Sequence, residues 1–340
     1  MPQSTIDKLA IKALFAGETQ PSMNRRRTGH AYEERCMYLI TMTTEGRRPL
    51  FGTVTGNPEA EEGAEDAPRI VLSPLGAAVE NIWLTIGDYH PEIKVLALQM
   101  MPDHLHGILF VKKKMPQHLG HIIRGFKSAT NNIYKTVHYA AMTSLQNDNT
   151  RKHGLLWSIG YNDKILDRRG QLKNWLNYLH DNPRRLLIKR MHKELFRVQR
   201  NIAVGDLQFS AIGNRFLLSH PLRIQVQCSR SLNNEQIELR KKYFLELANR
   251  GAVLVSPSIS PGEKTIMRAA FDAGFPLIIL QENGFTNMTK PTGSRFEACA
   301  AGKILILAPW EHHNQRLNIK REQCLSLNEM AKTICTSLNK

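Results

Sequence analysis

The sequence predicts an α+β domain with an antiparallel sheet, followed by an α/β domain with a parallel sheet. Two observations predict it. Up to about residue 200 the runs come as strand, hairpin, helix, strand, strand, helix, helix, an order that suits helices packed on an antiparallel sheet. After about residue 205, continuous apolar strands alternate with helices, the pattern of a parallel sheet covered on both faces. A length of 340 residues has room for two such domains.

Each element has its own warrant. Residues 1–30 end in Arg25-Arg26-Arg27 and read as a basic N-terminal arm. RCMYLITMT (35–43) reads as a strand, as do LFGTVTG (50–56) and RIVLS (69–73). Between the last two lies NPEAEEGAEDAP, rich in acids and without a base, a solvated hairpin loop that would repel a polyanion. Leu75, Ala78, Val79, Ile82, Trp83 and Ile86 give residues 74–87 helical spacing, with Ser73 as N-cap and Pro74 in the first turn. IKVLALQMM (93–101) and HGILFVK (106–112) are strand-like, about a turn at Pro102-Asp103. Leu119, Ile122, Ile123, Phe126 and Ile133 make 117–138 helical, and a polar loop covers 143–154. A second helix over about 171–182 is expected to end at Asn182-Pro183, because the residue before proline is pushed out of the α region.

PRRLLIKRMHKELFRVQR (183–200) is strongly basic, with Glu194 its single acid. It reads either as a solvated face or, coming directly after that helix, as a segment that touches phosphates. Downstream, LRIQVQC (222–228), AVLVS (252–256), PLIIL (276–280) and KILILAP (303–309) read as strands, and 234–250, 261–273 and 292–301 as helices. The alternation describes a Rossmann-like domain over 205–340. No internal repeat is visible.

A formal net charge of +16 favours a polyanionic partner, since Lys and Arg displace counterions from phosphates; charge that only maintains solubility is the alternative. The five cysteines form no CxxC pair, so neither a disulfide framework nor a cysteine zinc site is expected, and reduced thiols in a cytoplasm are. The N-terminal stretch does not read as a signal peptide, and no apolar run approaches the roughly 20 residues that span a bilayer. No membrane partner is expected.

Two short motifs carry chemistry. In Met101-Pro102-Asp103-His104-Leu105-His106, a strand would turn His104 and His106 to one face and Leu105 to the core. Neutral imidazole is a common ligand of divalent metals, although two surface histidines would look the same. In Tyr178-Leu179-His180-Asp181-Asn182-Pro183, a helix would put the Tyr178 phenol and the Asn182 amide on one face at i, i+4, although a tyrosine packed at a helix end would also fit.

Taken together, the two motifs resemble the HUH single-tyrosine transposases, and among them the REP-associated tyrosine transposases, whose core carries Pro-x-His-x-His and Tyr-x-x-x-Asn-Pro at similar separation. Gly125-Phe126-Lys127-Ser128 and Trp157 followed by Tyr161-Asn162-Asp163 add to the resemblance, which covers roughly residues 30–195. The family's aromatic-x-His before the tyrosine helix reads Tyr161-Asn162-Asp163 here. The resemblance implies a ferredoxin-like HUH domain over 31–200. It further implies Mg²⁺ or Mn²⁺ on His104, His106 and Asn182, and Tyr178 as the nucleophile that leaves a 5′-phosphotyrosine and a free 3′-OH. The implied substrate is single-stranded DNA beside a hairpin. Arg124, Lys127, Arg184 and Arg185 are candidate phosphate contacts and Trp157 a candidate base-stacking platform.

LVSPSISPGEKTIMRAAFDAGFPLIILQENGF resembles the DNA-processing protein A family and related Rossmann-like proteins. Its loop from Ser256 to Gly262 opens a helix and could cradle a phosphate on free N–H groups, whereas a structural or oligomerisation role needs no ligand. Neither a dinucleotide fingerprint nor a P-loop is present. Cys299 reads as a buried small residue. The expected function is transposase-like cleavage and rejoining of single-stranded DNA in the cytoplasm, at the nucleoid. The alternatives are a domesticated hairpin-binding protein, or a nucleotide-binding module anchored to DNA. The oligomeric state is open, a homodimer included.

Overall fold

The computed structural model describes residues 27, 29–142, 156–314 and 318–337. Most of the basic arm and all of the polar loop over 143–154 lie outside them. The chain divides into two compact units, Met1–Ile188 and Lys189–Lys340.

The first unit is α+β. Its strands are β1 (Cys36–Thr43), β2 (Gly52–Thr55), β3 (Arg69–Leu72), β4 (Ile93–Met101), β5 (His104–Val111) and β6 (Asn162–Ile165). Its helices are α1 (Pro74–Leu84), α2 (Ile86–Tyr89), α3 (Leu119–Met142) and α4 (Gln171–Met191), the last crossing the division. The main sheet runs β4-β5-β1-β6, antiparallel throughout, and β2 pairs with β3 as a separate hairpin around the acidic loop. Helix α1 starts as its sequence implies: the Ser73 side chain accepts from the Gly76 N–H, and Pro74 supplies the first-turn φ.

Strand periodicity sorts the sheet into two faces. Tyr38, Ile40, Met42, Leu105, Leu109 and Val111 turn to one side, with Val79, Trp83, Ile123 and Phe126 from α1 and α3. Trp83 lies so close to β5 that a Cβ on Gly107 would sit 2.1 Å from its ring, so only glycine fits. The opposite face carries Met37, Leu39 and Ile108, with Leu172, Trp175, Tyr178 and Leu179 of α4. Helix α4 therefore covers the face to which His104 and His106 belong.

Helix α4 does not end at Pro183 as the sequence suggested; it runs through to Met191. Proline removes one i→i−4 bond, but Asp181 bridges it, pairing with Arg184 at 2.6 Å and Arg185 at 3.6 Å. The arginines and leucines that follow are good helix formers.

The second unit contains α5 (Lys193–Phe196), β7 (Gln199–Val204), β8 (Leu207–Gly213), β9 (Arg223–Gln225), α6 (Asn234–Asn249), β10 (Val253–Ser256), α7 (Pro261–Asp272), β11 (Leu277–Leu280), α8 (Ser294–Ala300), β12 (Ile304–Ala308) and α9 (Arg321–Thr336). Its sheet runs β7-β8-β12-β11-β10-β9. β9 through β12 are mutually parallel, and β8 and β7 add antiparallel at one edge. Every residue of β10 and β12 is buried, as a strand covered on both faces requires. The first domain was expected to reach residue 200. Instead Lys193–Phe196 packs on β8, and β7 belongs to this second sheet, so the division falls earlier. Among the described residues no helix is long and apolar enough to cross a membrane.

Candidate active site

On β5 the side chains of His104, His106 and Ile108 share a face. Ile108 is buried there with Leu39, Leu166 and Leu179. The two imidazoles meet edge to face, with ring centroids 4.8 Å apart. The Tyr178 ring stands 6.1 Å from that of His106. Trp175, one turn earlier on α4, touches Tyr178 edge-on at 5.3 Å, and the Arg185 guanidinium lies 5.6 Å from the centroid of the phenol ring. The strand motif and the helix motif thus form one site.

Both imidazoles are oriented by oxygen partners. Thr41 lies opposite His106 in the β1–β5 register, and its hydroxyl is 2.8 Å from His106 Nδ1. Asp103 Oδ1 is 2.6 Å from His104 Nδ1, and Arg47 reaches the other Asp103 oxygen at 3.4 Å. Burial opposes ionisation of Asp103, but the hydrogen bond and charge of His104, with Arg47, outweigh it and hold the carboxyl below its ordinary value. The turn bearing Asp103 is pinned as well: the Thr44 N–H and hydroxyl donate to the Asp103 carbonyl, and the Phe51 N–H donates to that of Pro102. With Nδ1 engaged, Nε2 is the nitrogen through which each ring would ligate a cation.

Asn182 lies one turn beyond Tyr178 and is 6% exposed. Its Nδ2 is buried without a hydrogen-bond partner. A buried amide with an unsatisfied end is expensive, and exchanging its O and N places a carbonyl oxygen at the same point. Among the described residues no group of three or more His, Cys, Asp or Glu gathers. Two imidazoles and one amide oxygen could hold a divalent ion that completes its shell with water or phosphate oxygen.

The other predicted residues divide. Arg124 is exposed on α3. Arg184 is tied to Asp181, and Arg185 is 8% exposed beside Tyr178, so neither stands out as an open surface cation. Lys127 is turned inward, donating to the carbonyls of Ser158 and Gly160. Burial lowers its pKa to about 8. Trp157 cannot be a base-stacking platform: it is 2% exposed, donates to Thr130 Oγ1 at 2.8 Å, and packs on Phe51 and Phe126.

In the Tyr161-Asn162-Asp163 segment, Asn162 pairs with Thr41, the partner of His106, whereas Tyr161 and Asp163 turn away from the histidines. Asp163 pairs across β1 with Ile40, on the opposite face of the sheet, and accepts from the Tyr32 hydroxyl at 2.7 Å. Tyr134 and Tyr161 also belong to that other core, where Tyr134 accepts from Arg48.

The expected phosphate cradle from Ser256 to Gly262 is already filled from within. The Glu263 carboxylate, 2% exposed, accepts from the N–H groups of Cys228, Ile259 and Ser260. Ser256 is fully buried and donates to the Val226 carbonyl. Gly262 packs closely on Cys228, whose Cβ would lie 3.1 Å from an added Cβ. An internal carboxylate takes the donors that a phosphate would need.

Sequence reading missed Thr41, Arg47 and Trp175. Thr41 and Arg47 gave no signal, because strand register and loop return are invisible in one sequence. Trp175 could have been found, one turn before Tyr178 on the same helix face.

No family model matches the chain. An uncharacterized protein of Haemophilus influenzae is 23% identical over 173 residues, covering 45% of this chain and 82% of the relative. Among solved structures, a REP-associated tyrosine transposase bound to a REP hairpin is similar over 47% of this chain and 73% of that chain, with 12% identity and a TM-score of 0.30. DNA processing protein A from Helicobacter pylori, solved for its single-stranded DNA binding mode, is similar over 41% of this chain and 66% of that chain, with 19% identity and a TM-score of 0.31.

Proposed function

We propose that the chain is a metal-dependent endonuclease and strand transferase of the HUH single-tyrosine type, acting on single-stranded DNA beside a hairpin. In this reading the first unit is a ferredoxin-like HUH domain and the second is Rossmann-like. The observation that supports it most is the convergence of two paired imidazoles and one tyrosine ring on the same sheet face.

His104, His106 and Asn182 would hold Mg²⁺ or Mn²⁺, which when bound offsets the charge on the non-bridging oxygens of the scissile phosphate. Thr41 and Asp103 keep the imidazoles oriented at Nδ1. Trp175 and Arg185 confine the Tyr178 ring, so its hydroxyl needs little reorganisation to reach phosphorus. In the step itself a bond forms between Tyr178 Oη and phosphorus, and the bond from phosphorus to the 3′ oxygen breaks. The phenol loses its proton and the departing 3′ oxygen gains one. The phosphotyrosine retains the energy of the broken bond, so attack by a 3′-OH rejoins the strand without ATP.

The test is incubation of the full chain with Mn²⁺ and a labelled oligonucleotide carrying a hairpin and a single-stranded flank. The expected result is a denaturation-resistant protein–DNA adduct, absent with fully duplex DNA of the same sequence. Hydrolytic cleavage without any adduct would contradict the tyrosine mechanism.

A further inference from the structure

The second unit holds a cavity of about 540 Å³ that opens past the carboxyl ends of β10 and β11, where Pro257, Ser258, Gln281 and Glu282 line it. In open α/β folds ligands lie outside the carboxyl ends of the strands. One face of α7 forms a wall. Lys264, Met267, Arg268 and Phe271 follow one another at helical spacing and all line the cavity, which α8 closes with Arg295.

The lining is chemically divided. Met267, Phe271 and Ile279 offer an apolar and partly aromatic wall. Arg268 is paired with Asp272, whereas Lys264 and Arg295 have no carboxylate partner among the described residues. Among the described residues Glu282 is the lone acid of the lining, and it is held in place. Its Oε1 accepts from His313 Nε2 at 2.7 Å and from Gln323 Nε2 at 3.4 Å, while Oε2 has no hydrogen-bond partner among the described residues. A fixed carboxylate with one open oxygen suits a ligand hydroxyl, and two open cations suit an anion. The volume falls in the range of small-molecule sites, roughly 300–1,000 Å³.

We propose that this cavity binds a ribonucleotide. Lys264 and Arg295 contact the phosphate, the apolar wall of α7 takes the base, and Glu282 Oε2 accepts from a ribose hydroxyl. The site is separate from the Ser256–Gly262 loop, whose N–H groups Glu263 occupies, and it is independent of the reading of the first unit.

The test is calorimetric titration of the full chain with each ribonucleoside monophosphate, with the matching deoxynucleotides, with inorganic phosphate and with an oligodeoxynucleotide. At least one ribonucleotide is expected to bind. The double variant Lys264→Met/Arg295→Met should weaken it by about tenfold or more. Glu282→Gln should shrink the preference for ribo over deoxy, with the unfolding midpoint of both variants near that of wild type. No binding by any mononucleotide at millimolar concentration would overturn the proposal. So would binding indifferent to the double variant, or inorganic phosphate binding as tightly as the nucleotide. An oligodeoxynucleotide that needs Lys264 and Arg295 while no mononucleotide competes would assign the cavity to a DNA strand instead.

Discussion

The His106 imidazole and the Tyr178 ring meet at 6.1 Å, inclined 72° to each other, one on a strand and the other on the helix that covers it. His104→Ala and His106→Ala should each abolish Mn²⁺-supported cleavage and lower Mn²⁺ affinity, with the fold retained, because both rings are only partly buried. Thr41→Val and Asp103→Asn, which remove the orienting partners, should cost about 10–100-fold in metal affinity or rate. Calorimetry showing wild-type Mn²⁺ affinity in both histidine variants would remove the metal assignment.

Trp157→Ala should destabilise the protein by about 3–5 kcal/mol, the usual cost of emptying a large aromatic from a core. Urea unfolding checks it. If stability were unchanged while affinity for single-stranded DNA fell, the ring would be a DNA contact after all.

Glu263→Ala should cost about 2–3 kcal/mol, because it strips a carboxylate from the N–H groups of Cys228, Ile259 and Ser260 in a buried loop. The loss should appear in the urea midpoint of the second unit. A neutral effect would mean that the loop satisfies these donors in another way.

Lys127 sets a pH signature. Burial lowers its pKa from 10.5 to about 8. Below pH 8 the ammonium is charged in both folded and unfolded chains, and the full cost of burying it is present. Between pH 8 and 10.5 the unfolded chain binds more protons than the folded one, so this group's contribution to stability rises with pH. Wild type should therefore gain stability relative to Lys127→Met as pH climbs through that window, measured by urea unfolding at several pH values. A constant difference would show that the ammonium is better solvated than its place between Ser158 and Gly160 implies.

What could be read from the sequence follows local periodicity. The period of two put His104 and His106 on one face, and the period of 3.6 put Tyr178 and Asn182 on another, so the site residues were legible before their meeting was. Helix α4 outran its expected end because the Asp181 ion pairs across Pro183 are made by side chains that propensity does not weigh. Trp157 was misjudged because burial is a property of the tertiary core. Two misses were readable. Ser260-Pro261-Gly262-Glu263 has the S-x-x-E form of a capping box, which already implies a carboxylate at the loop N–H groups. Ile202, Val204, Leu207 and Phe209 flank Gly205-Asp206 as a hairpin should, and they form β7 and β8.

The most direct measurement of the central claim is peptide mapping of the protein–DNA adduct. Trypsin releases Asn174–Arg184, a peptide in which Tyr178 is the single tyrosine. The account predicts that mass spectrometry finds the nucleotide on this peptide, and that Tyr178→Phe binds the oligonucleotide as wild type does yet forms no adduct. A nucleotide on a peptide bearing Tyr134 or Tyr161, or an adduct that persists in Tyr178→Phe, would contradict it.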